Sequence, residues 1–423
     1  MRLTRLTALE ILDSRGVPTL EVLLEAEKLQ ARASVPSGKS TGKNEALELR
    51  DGDTGRYRGK GMQKAIASVE GEITSMLVGR ELPPQEDLDQ ALIRLDGTPG
   101  KTRLGANALL GVSIAAARLR ALAEGKTLYA SLGGPEATLL PVPCFNVLNG
   151  GAHADNPLEF QEFMLAPAGR PSFAEALRAG AETYHALAGI LKRGNLSVSV
   201  GDEGGFAPQI TFPEEALDLI VQAIEAAGYA PGKDIFIALD PAASGFFREG
   251  LYRFGGEAHT AEAMTERYGR WLDRYPLLSI EDGLAEDDDA GWAHLTKTLG
   301  HRMQIVGDDN FVSDPRRVEA AIEKGIANAV LLKPNQIGTV TEITETARTA
   351  QRGGYRCMVS HRSGETTDDF IADLAVALGM GQIKSGAPAR GERLAKYNRL
   401  LRIERELGDR AVFAGRAIFD RQV

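Results

Sequence analysis

Short apolar runs recur through the second half of the chain, separated by segments with helical spacing of apolar residues. The runs cover residues 235–239, 277–280, 304–307, 329–332, 357–360 and 381–383. Each is followed at once by a side chain with acid, base or ligand chemistry. These side chains are Asp240, Glu281, Asp308, Lys333, His361 and Lys384. From Glu281 onward the intervals are 27, 25, 28 and 23 residues, and each interval suits one strand–helix unit.

This regularity predicts a parallel sheet, and continuous rather than alternating apolar strands indicate that both of its faces are covered. Closure into a (β/α)8 barrel is the simplest arrangement for residues 136–423, and catalytic groups in such barrels lie at the carboxyl ends of the strands. A doubly wound open sheet is the alternative, because only six units are directly visible. No glycine fingerprint for a dinucleotide supports that alternative.

The first third of the chain mixes patterns. Residues 19–25 have strand character, and residues 61–77 and 104–122 have helical apolar spacing. Turn-rich passages at 133–135 and 141–143 then mark a boundary. The expected fold is therefore α/β, with a smaller α+β N-terminal domain over residues 1–135 and a barrel catalytic domain over residues 136–423.

Composition narrows the class of protein. The 423 residues carry 49 basic and 58 acidic side chains, a net charge of -9 that argues against a nucleic acid or a membrane surface as partner. The two cysteines, Cys144 and Cys357, are far apart, which favours a reducing cytoplasm over a disulfide framework. No apolar run at the N-terminus suits a signal peptide. Polar residues interrupt the apolar segment 106–123, which favours a buried helix over a membrane span.

Three strand-end acids, Asp240, Glu281 and Asp308, would meet at one mouth of the barrel. Each alone could be a helix N-cap. Together, with Asp282 and Asp309 beside two of them, they would repel one another unless a cation is bound. Carboxylate oxygens suit a hard cation, so the pattern predicts a Mg²⁺ site.

Basic side chains follow the neighbouring strands. A lysine beside a divalent cation has a lowered pKa and can act as a general base, so Lys333 and Lys384 are candidates for a base and for an anion-binding group. A solvated or salt-bridged lysine is the alternative for each. Arg362 and Ser363, next to His361, form a donor cluster suited to phosphate.

Two earlier segments carry further candidates. His153 and Glu162 lie nine residues apart, and Glu203 sits in the glycine-rich turn 201–206, although turn chemistry explains either motif by itself. The stretch 34–43, SVPSGKSTGK, is similar to the end of a phosphate-binding P-loop. However, Ala33 occupies the position where that motif requires its first glycine.

Spaced motifs over essentially the whole chain resemble the enolase family. They are ILDSRG at 11–16, SVPS at 34–37, EALELRDG at 45–52, GDEGGFAP at 201–208, SHRSGE at 360–365 and QIKSGAP at 382–388. The resemblance implies that segment 34–43 is a mobile active-site loop and that two Mg²⁺ ions bind.

The resemblance also implies residue roles. Asp240, Glu281 and Asp308 would hold the first Mg²⁺, and Ser40 would help to bind the second. Lys333 would remove the C2 proton of 2-phosphoglycerate, and Glu203, assisted by Glu162, would protonate the departing hydroxyl. Lys384 would neutralise the substrate carboxylate, Arg362 and Ser363 would hold the phosphate, and His153 and His361 would line the pocket.

Several neighbours of these residues depart from what the resemblance implies. They are Val17, Lys39, Pro241, Gly245, Gly283, Asn310 and Pro334. Lys39 adds a cation to a loop that closes over a phosphate, and Gly245 removes a negative charge. Both changes are compatible with a pocket that admits a second anion, so Lys39 is a further candidate for substrate binding.

Two enzymatic interpretations therefore stand at this point. One is an enolase that dehydrates 2-phosphoglycerate to phosphoenolpyruvate. The other is a diverged paralogue, such as a carboxyphosphonoenolpyruvate synthase that joins an enolpyruvate unit to phosphonoformate in phosphonate antibiotic biosynthesis. A non-catalytic binding protein is the third interpretation, opposed by the presence of every expected ligand and base. The resemblance also implies a cytoplasmic homodimer or higher homo-oligomer, with Glu21 pairing with Arg402 across the interface.

Overall fold

The computed structural model describes residues 1–39 and 42–419. Its N-terminal part is a three-stranded antiparallel sheet in the order β1-β2-β3, with helices packed on it. The strands are β1 (Leu3–Leu12), β2 (Pro18–Ala26) and β3 (Leu29–Ser34), and the helices are α1 (Gln63–Ser68), α2 (Thr74–Leu77), α3 (Gln85–Asp96), α4 (Ala106–Ala123) and α5 (Leu128–Gly133).

Helix α4 forms the core of this part. Leu20, Val22 and Leu24 alternate with less buried residues along β2 and are fully buried, so one face of the sheet is apolar. Helix α4 packs on β2 and β3 through that face. It is long and apolar enough to cross a membrane, but 78% of it is buried inside the protein, so it is a core helix, as predicted.

The remaining strands form a closed barrel in the order β11-β12-β13-β14-β15-β5-β6-β7, with small sheets outside it. The strands are β4 (Leu139–Leu140), β5 (Val142–Asn149), β6 (Glu162–Ala166), β7 (Phe236–Asp240), β8 (Phe247–Arg248), β9 (Leu251–Phe254), β10 (Glu257–His259), β11 (Leu277–Glu281), β12 (Gln304–Gly307), β13 (Ala329–Leu332), β14 (Arg356–Ser360), β15 (Gln382–Lys384) and β16 (Val412–Phe413). The predicted barrel is confirmed, and the six predicted strands match β7 and β11–β15 to within about a residue.

One strand departs from a uniform (β/α)8 pattern. Strand β6 pairs antiparallel with both of its neighbours, β5 and β7, whereas the other barrel pairings are parallel. A short loop, residues 150–161, therefore connects β5 directly to β6, where a parallel pair would need a crossover helix. That loop places His153 at the end of the barrel where the carboxyl ends of the parallel strands lie.

Helices cover the outside of the barrel. They are α6 (Phe173–Arg193), α7 (Pro213–Ala226), α8 (Ala261–Arg274), α9 (Asp289–Leu299), α10 (Pro315–Lys324), α11 (Pro334–Ile337), α12 (Val340–Arg352), α13 (Phe370–Ala377) and α14 (Gly391–Leu407). Apolar side chains of alternate strand residues fill the inside, among them Val142, Met164 and Val306. This packing leaves polar side chains for the strand ends, where the candidate site lies.

Candidate active site

The strand ends bring the predicted side chains into one buried pocket. Its lining includes His153, Glu162, Glu203, Asp240, Asp308, Lys333, His361, Arg362, Ser363 and Lys384. Glu281, at the end of β11, is 2% exposed and lies beneath this lining in contact with Lys384. Of the predicted site residues, Ser40 lies outside the described part of the chain.

Lys384 occupies the centre of the acidic groups. Its Nζ lies 2.8 Å from Glu281 Oε1 and 3.3 Å from both Asp240 Oδ2 and Glu162 Oε2. Burial alone lowers the pKa of Lys384, but the charges of these three carboxylates raise the pKa well above its usual range. The surrounding carboxylates therefore favour the ammonium form of Lys384.

The acids retain unused capacity for a cation. Glu281 Oε2 is buried and has no hydrogen-bond partner among the described residues. Burial, followed by the charge of Asp240, raises the pKa of Glu281 well above its usual range. Asp240, Glu281 and Asp308 are thus buried carboxyl groups of the kind that suits a hard divalent cation, although the described clusters whose ligand atoms lie within 4.8 Å of one another are His153, Glu162 and Glu203, and Asp282, Asp308 and Asp309.

A second acidic group adjoins the first. One carboxylate oxygen from each of Asp282, Asp308 and Asp309 lies within 4.8 Å of the others, a spacing compatible with a metal ion. The backbone N–H groups of Asp308 and Asp309 donate to the Asp282 carboxylate at 2.9 and 3.1 Å. Burial and the charge of Asp308 raise the pKa of Asp309 to about 7. Asp282 therefore holds the turn that places the other two acids.

Lys333 is paired with Asp308. Its Nζ donates to Asp308 Oδ2, and its backbone N–H donates to Ser313 Oγ at 2.9 Å. Burial alone lowers the pKa of Lys333, but the negative charge of Asp308 raises it above its usual value. The lowered pKa expected from the sequence depends on a bound cation, and the carboxylate by itself has the opposite effect.

Two carboxylates, those of Glu162 and Glu203, lie beside the same ring nitrogen of His153. Both lie 3.8 Å from His153 Nδ1. Burial and the charge of Glu203 raise the pKa of Glu162 well above its usual range. Burial also acts to raise the pKa of Glu203, but His361, His153 and Arg393 outweigh it and lower that pKa. A proton shared by this pair therefore resides on Glu162.

Residues that the sequence reasoning missed support these groups. Asn146 donates to Glu203 Oε2 at 2.9 Å. Glu45 accepts two hydrogen bonds from Arg362, at 3.0 and 3.1 Å, and so fixes the plane of that guanidinium. Arg393 contacts the ring of His361 through its Nη1, which lies next to His361 Nδ1. Glu45 belongs to a family motif quoted above, but its spacing by itself gave no signal of a contact with a residue 317 positions away.

Lys39 does not take the position that a second-anion pocket requires. Its Nζ lies 2.9 Å from Asp202 Oδ2, its side chain is 47% exposed, and it is not part of the pocket lining. Its backbone N–H donates to Ser363 Oγ at 2.8 Å. The side chain thus joins two loops at the rim, and its charge is already paired.

The other departures also lie outside the lining. None of Val17, Pro241, Gly245, Gly283, Asn310 and Pro334 lines the pocket. Gly245 is exposed, and a Cβ there would meet no atom within 4 Å, whereas a Cβ at Gly283 would press on Ile280 at 3.1 Å. Although these residues cluster near the strand ends, they therefore contribute no surface to the pocket.

Comparisons with known proteins agree with this arrangement. The family model "Enolase, N-terminal domain" matches residues 3–132, and "Enolase, C-terminal TIM barrel domain" matches residues 137–422. The enolase of Mycobacterium leprae (strain TN) is 57% identical over 418 residues, which cover 98% of this chain and 97% of that protein. The chain therefore belongs to the enolase family.

Proposed function

We propose that the protein is a phosphopyruvate hydratase, a carbon–oxygen lyase that removes water from 2-phosphoglycerate to give phosphoenolpyruvate. The observation that carries this proposal is the placement of Lys333 beside the buried acids Asp240, Glu281 and Asp308, in a chain so similar to an enolase over its whole length. The reaction needs a base for C2, charge neutralisation at the substrate carboxylate and an acid for the hydroxyl on C3.

Asp240, Glu281 and Asp308 would hold a divalent cation, and Mg²⁺ is the ion that we propose. When bound, such a cation withdraws charge from Asp308, lowers the pKa of Lys333 and stabilises the doubly charged enediolate. A second Mg²⁺, held in part by Ser40, remains a proposal that concerns a residue outside the described ones.

Lys333 would take the C2 proton on its Nζ. The nitrogen is held at the pocket wall by Asp308, and the backbone of Lys333 is fixed by Ser313. Its position is therefore set before the substrate arrives, which reduces the entropic cost of proton abstraction. Lys384, an ammonium among carboxylates, would pair with the substrate carboxylate.

Elimination of the C3 hydroxyl requires a proton. The raised pKa of Glu162 and the lowered pKa of Glu203 support Glu162 as the group that would hold that proton before the substrate binds. Glu203 receives hydrogen bonds and would contact the leaving oxygen, so Glu162 and Glu203 would act together as the acid. His153 lies against both carboxylates and closes this side of the pocket.

The phosphate would bind at the rim of the pocket formed by Arg362 and Ser363, at the far end of the pocket from Lys384. Arg362, oriented by Glu45, presents a planar set of donors, and Ser363 adds a hydroxyl. Ser363 Oγ already accepts from the backbone N–H of Lys39, so Lys39 and the proposed phosphate site are connected. A phosphorylated three-carbon acid would therefore span the pocket from Lys384 to Arg362.

The synthase alternative is not favoured. It relied on Lys39 as a ligand for a second anion, whereas that side chain pairs with Asp202 at the rim. The deciding experiment is to follow enol formation from 2-phosphoglycerate by ultraviolet absorbance, with Mg²⁺ or with excess EDTA. We expect turnover with Mg²⁺ alone. No turnover until phosphonoformate is added would overturn the assignment in favour of the synthase.

The dimer is also a proposal. Glu21 contacts Arg32 and Ser34 of its own chain, at 3.4 and 3.1 Å, and Arg402 is exposed. Because Glu21 is partly exposed and Arg402 is exposed, a pairing between Glu21 of one copy and Arg402 of another is compatible with the structure. Light scattering of the Arg402→Glu variant tests this pairing. We likewise retain residues 1–135 and 136–423 as domains, and a cytoplasmic location.

A further inference from the structure

We propose that Arg393 is a positioning residue that fixes the ring of His361 as the Nε2–H tautomer, so that His361 presents an N–H group to Glu203. The inference rests on the proposed role of Glu203 at the departing hydroxyl. No sequence pattern singles out Arg393, which belongs to the charged helix α14 and lies 32 and 30 residues from His361 and Ser363.

The guanidinium of Arg393 is fully buried behind the site. Its Nη1 lies 2.5 Å from His361 Nδ1 and donates to the carbonyl oxygen of Arg362 at 2.6 Å. Its Nη2 donates to the carbonyl oxygens of Ser363 and Asp202, at 2.6 and 3.1 Å. One side chain therefore connects the loop after β14 to the loop that carries Glu203.

The tautomer follows from the chemistry of the two groups. An arginine side chain has five N–H donors and no acceptor, and it stays protonated in proteins. A ring nitrogen 2.5 Å from Nη1 must therefore be the acceptor, so Nδ1 carries a lone pair. In a neutral imidazole the proton is then on Nε2. Protonation of Nδ1 would place two donors against each other in a buried space.

The other ring nitrogen faces the acid. His361 Nε2 lies 3.4 Å from Glu203 Oε2, the oxygen that also accepts from Asn146. Burial lowers the pKa of His361 to about 3, in agreement with a neutral ring. The contact does not have the geometry of a full hydrogen bond, but the dipole of an Nε2–H group at this distance favours the ionised form of Glu203. The contacts from Arg393 to His361 and from His361 to Glu203 therefore favour Glu203, rather than Glu162, as the ionised carboxylate.

The same contacts align the phosphate site. Because the carbonyl oxygens of Arg362 and Ser363 point back to Arg393, the backbone between them is held from the side opposite the pocket. Room for Arg393 is provided at Gly386, where a Cβ would lie 2.8 Å from Arg393 Cδ. Arg393 thus touches no reacting atom and acts through the three residues 361–363.

The direct test is the 15N NMR spectrum of the histidine rings in the full-length protein, without substrate. The chain has six histidines, and a His361→Gln variant identifies the signals of His361. We expect a pyridine-type signal for Nδ1 and a protonated signal for Nε2 in the wild type. Arg393→Met should allow the Nδ1–H tautomer to appear, whereas Arg393→Lys, which retains a donor, should preserve the wild-type pattern.

Turnover is the second readout. Arg393→Met should lower kcat for 2-phosphoglycerate by at least about tenfold, because groups at the reaction centre lose their alignment, and Arg393→Lys should restore part of that loss. Lys396→Met is the matched structural control. Lys396 is buried on the same helix and bonds Glu365 and the Thr366 carbonyl, at 2.7 and 2.6 Å, without touching His361. It should lower stability and leave the tautomer unchanged.

The outcomes separate this inference from the proposed function. A proton on Nδ1 in the wild type, or an unchanged Nε2–H tautomer in Arg393→Met, would overturn the role of Arg393. A shift of the tautomer in Lys396→Met as well would show that loop distortion is the cause, and would also overturn it. A wild-type protein inactive on 2-phosphoglycerate would overturn the proposed function, while the NMR result would still decide the tautomer.

Discussion

Lys384 Nζ lies 2.8 Å from Glu281 Oε1 inside a cluster of buried carboxylates that also includes Asp240 and Glu162. One ammonium does not offset three buried carboxyl groups in a region of low dielectric, and the raised pKa values of Glu162 and Glu281 reflect this shortfall of positive charge. The protein's own cation therefore neutralises only part of the site. The remaining negative charge would attract a metal ion, and the positive charges of that ion and of Lys384 would together attract a substrate anion.

The first prediction concerns the stability of this cluster. Lys384→Met leaves three buried carboxylates without their ammonium, so in EDTA the free energy of unfolding should fall by roughly 3–5 kcal/mol. Mg²⁺ should recover part of the loss, because a ligand at 100 times its Kd stabilises the folded state by about 2.7 kcal/mol. Urea unfolding with EDTA and with Mg²⁺ measures both effects.

A control for that experiment lies on the surface. Lys324 pairs with Asp289 at 2.6 Å, and both side chains are 58% exposed. Lys324→Met should change stability by no more than about 0.5 kcal/mol in either buffer. Equal stability of Lys384→Met and the wild type in EDTA would contradict the idea that Lys384 neutralises the cluster.

A second, partly buried ion pair connects the N-terminal helix α4 to the loop before α13. Asp368 accepts from Arg118 at 2.6 and 2.8 Å and from the backbone N–H groups of Ser34 and Phe370, each at 2.9 Å. Asp368→Asn should cost roughly 3–5 kcal/mol, because it leaves Arg118, whose side chain is only 19% exposed, without its main counter-charge. Asp273→Asn, which removes an exposed partner of Arg302, should cost less than about 1 kcal/mol.

The pH dependence of the Asp368 effect has a definite sign. Burial alone raises the pKa of Asp368, but Arg118 outweighs it and lowers that pKa below the unfolded value. The stabilisation is then complete above the unfolded value of about 3.9 and is lost as the pH falls through the lowered folded value. Unfolding curves of the wild type and Asp368→Asn should differ equally at pH 7 and pH 5. A difference that already shrinks between those values would contradict this sign.

The thiols provide an independent test of burial. Burial raises the pKa of both Cys144 and Cys357 to about 12, and both are free cysteines. Since the thiolate is the reactive form, neither should react with a thiol reagent in the folded protein at pH 8. Two equivalents should react once the protein is unfolded in urea. Rapid labelling of the native protein would indicate that the barrel opens at these strands.

The sequence predicts the strands well because each buried run ends on a residue that cannot be buried without a partner. Asp308 and Lys333 directly follow β12 and β13, as their positions after apolar runs indicate. The antiparallel direction of β6 was not predictable in the same way. All five residues of that strand are buried, so its apolar pattern is the same for either direction.

The site is less predictable than the fold, because its geometry depends on long-range pairing. The pattern identifies Lys384 as a candidate, but not that its Nζ contacts three carboxylates from three strands. Arg393 gave no signal, because one charged residue in a charged helix is usually solvated. Lys39 shows the opposite case. The sequence pattern suggests that its charge binds an anion, but its Nζ pairs with Asp202 at the rim.

Exchange of the C2 proton of 2-phosphoglycerate in deuterium oxide with Mg²⁺, followed by proton NMR, tests the role of Lys333 as the base. Glu203→Gln should retain exchange while it loses dehydration, because the base Lys333 is intact. Lys333→Ala should lose both, with turnover reduced by roughly 10²–10⁴-fold. Exchange at the wild-type rate in Lys333→Ala would contradict the assignment of Lys333 as the base.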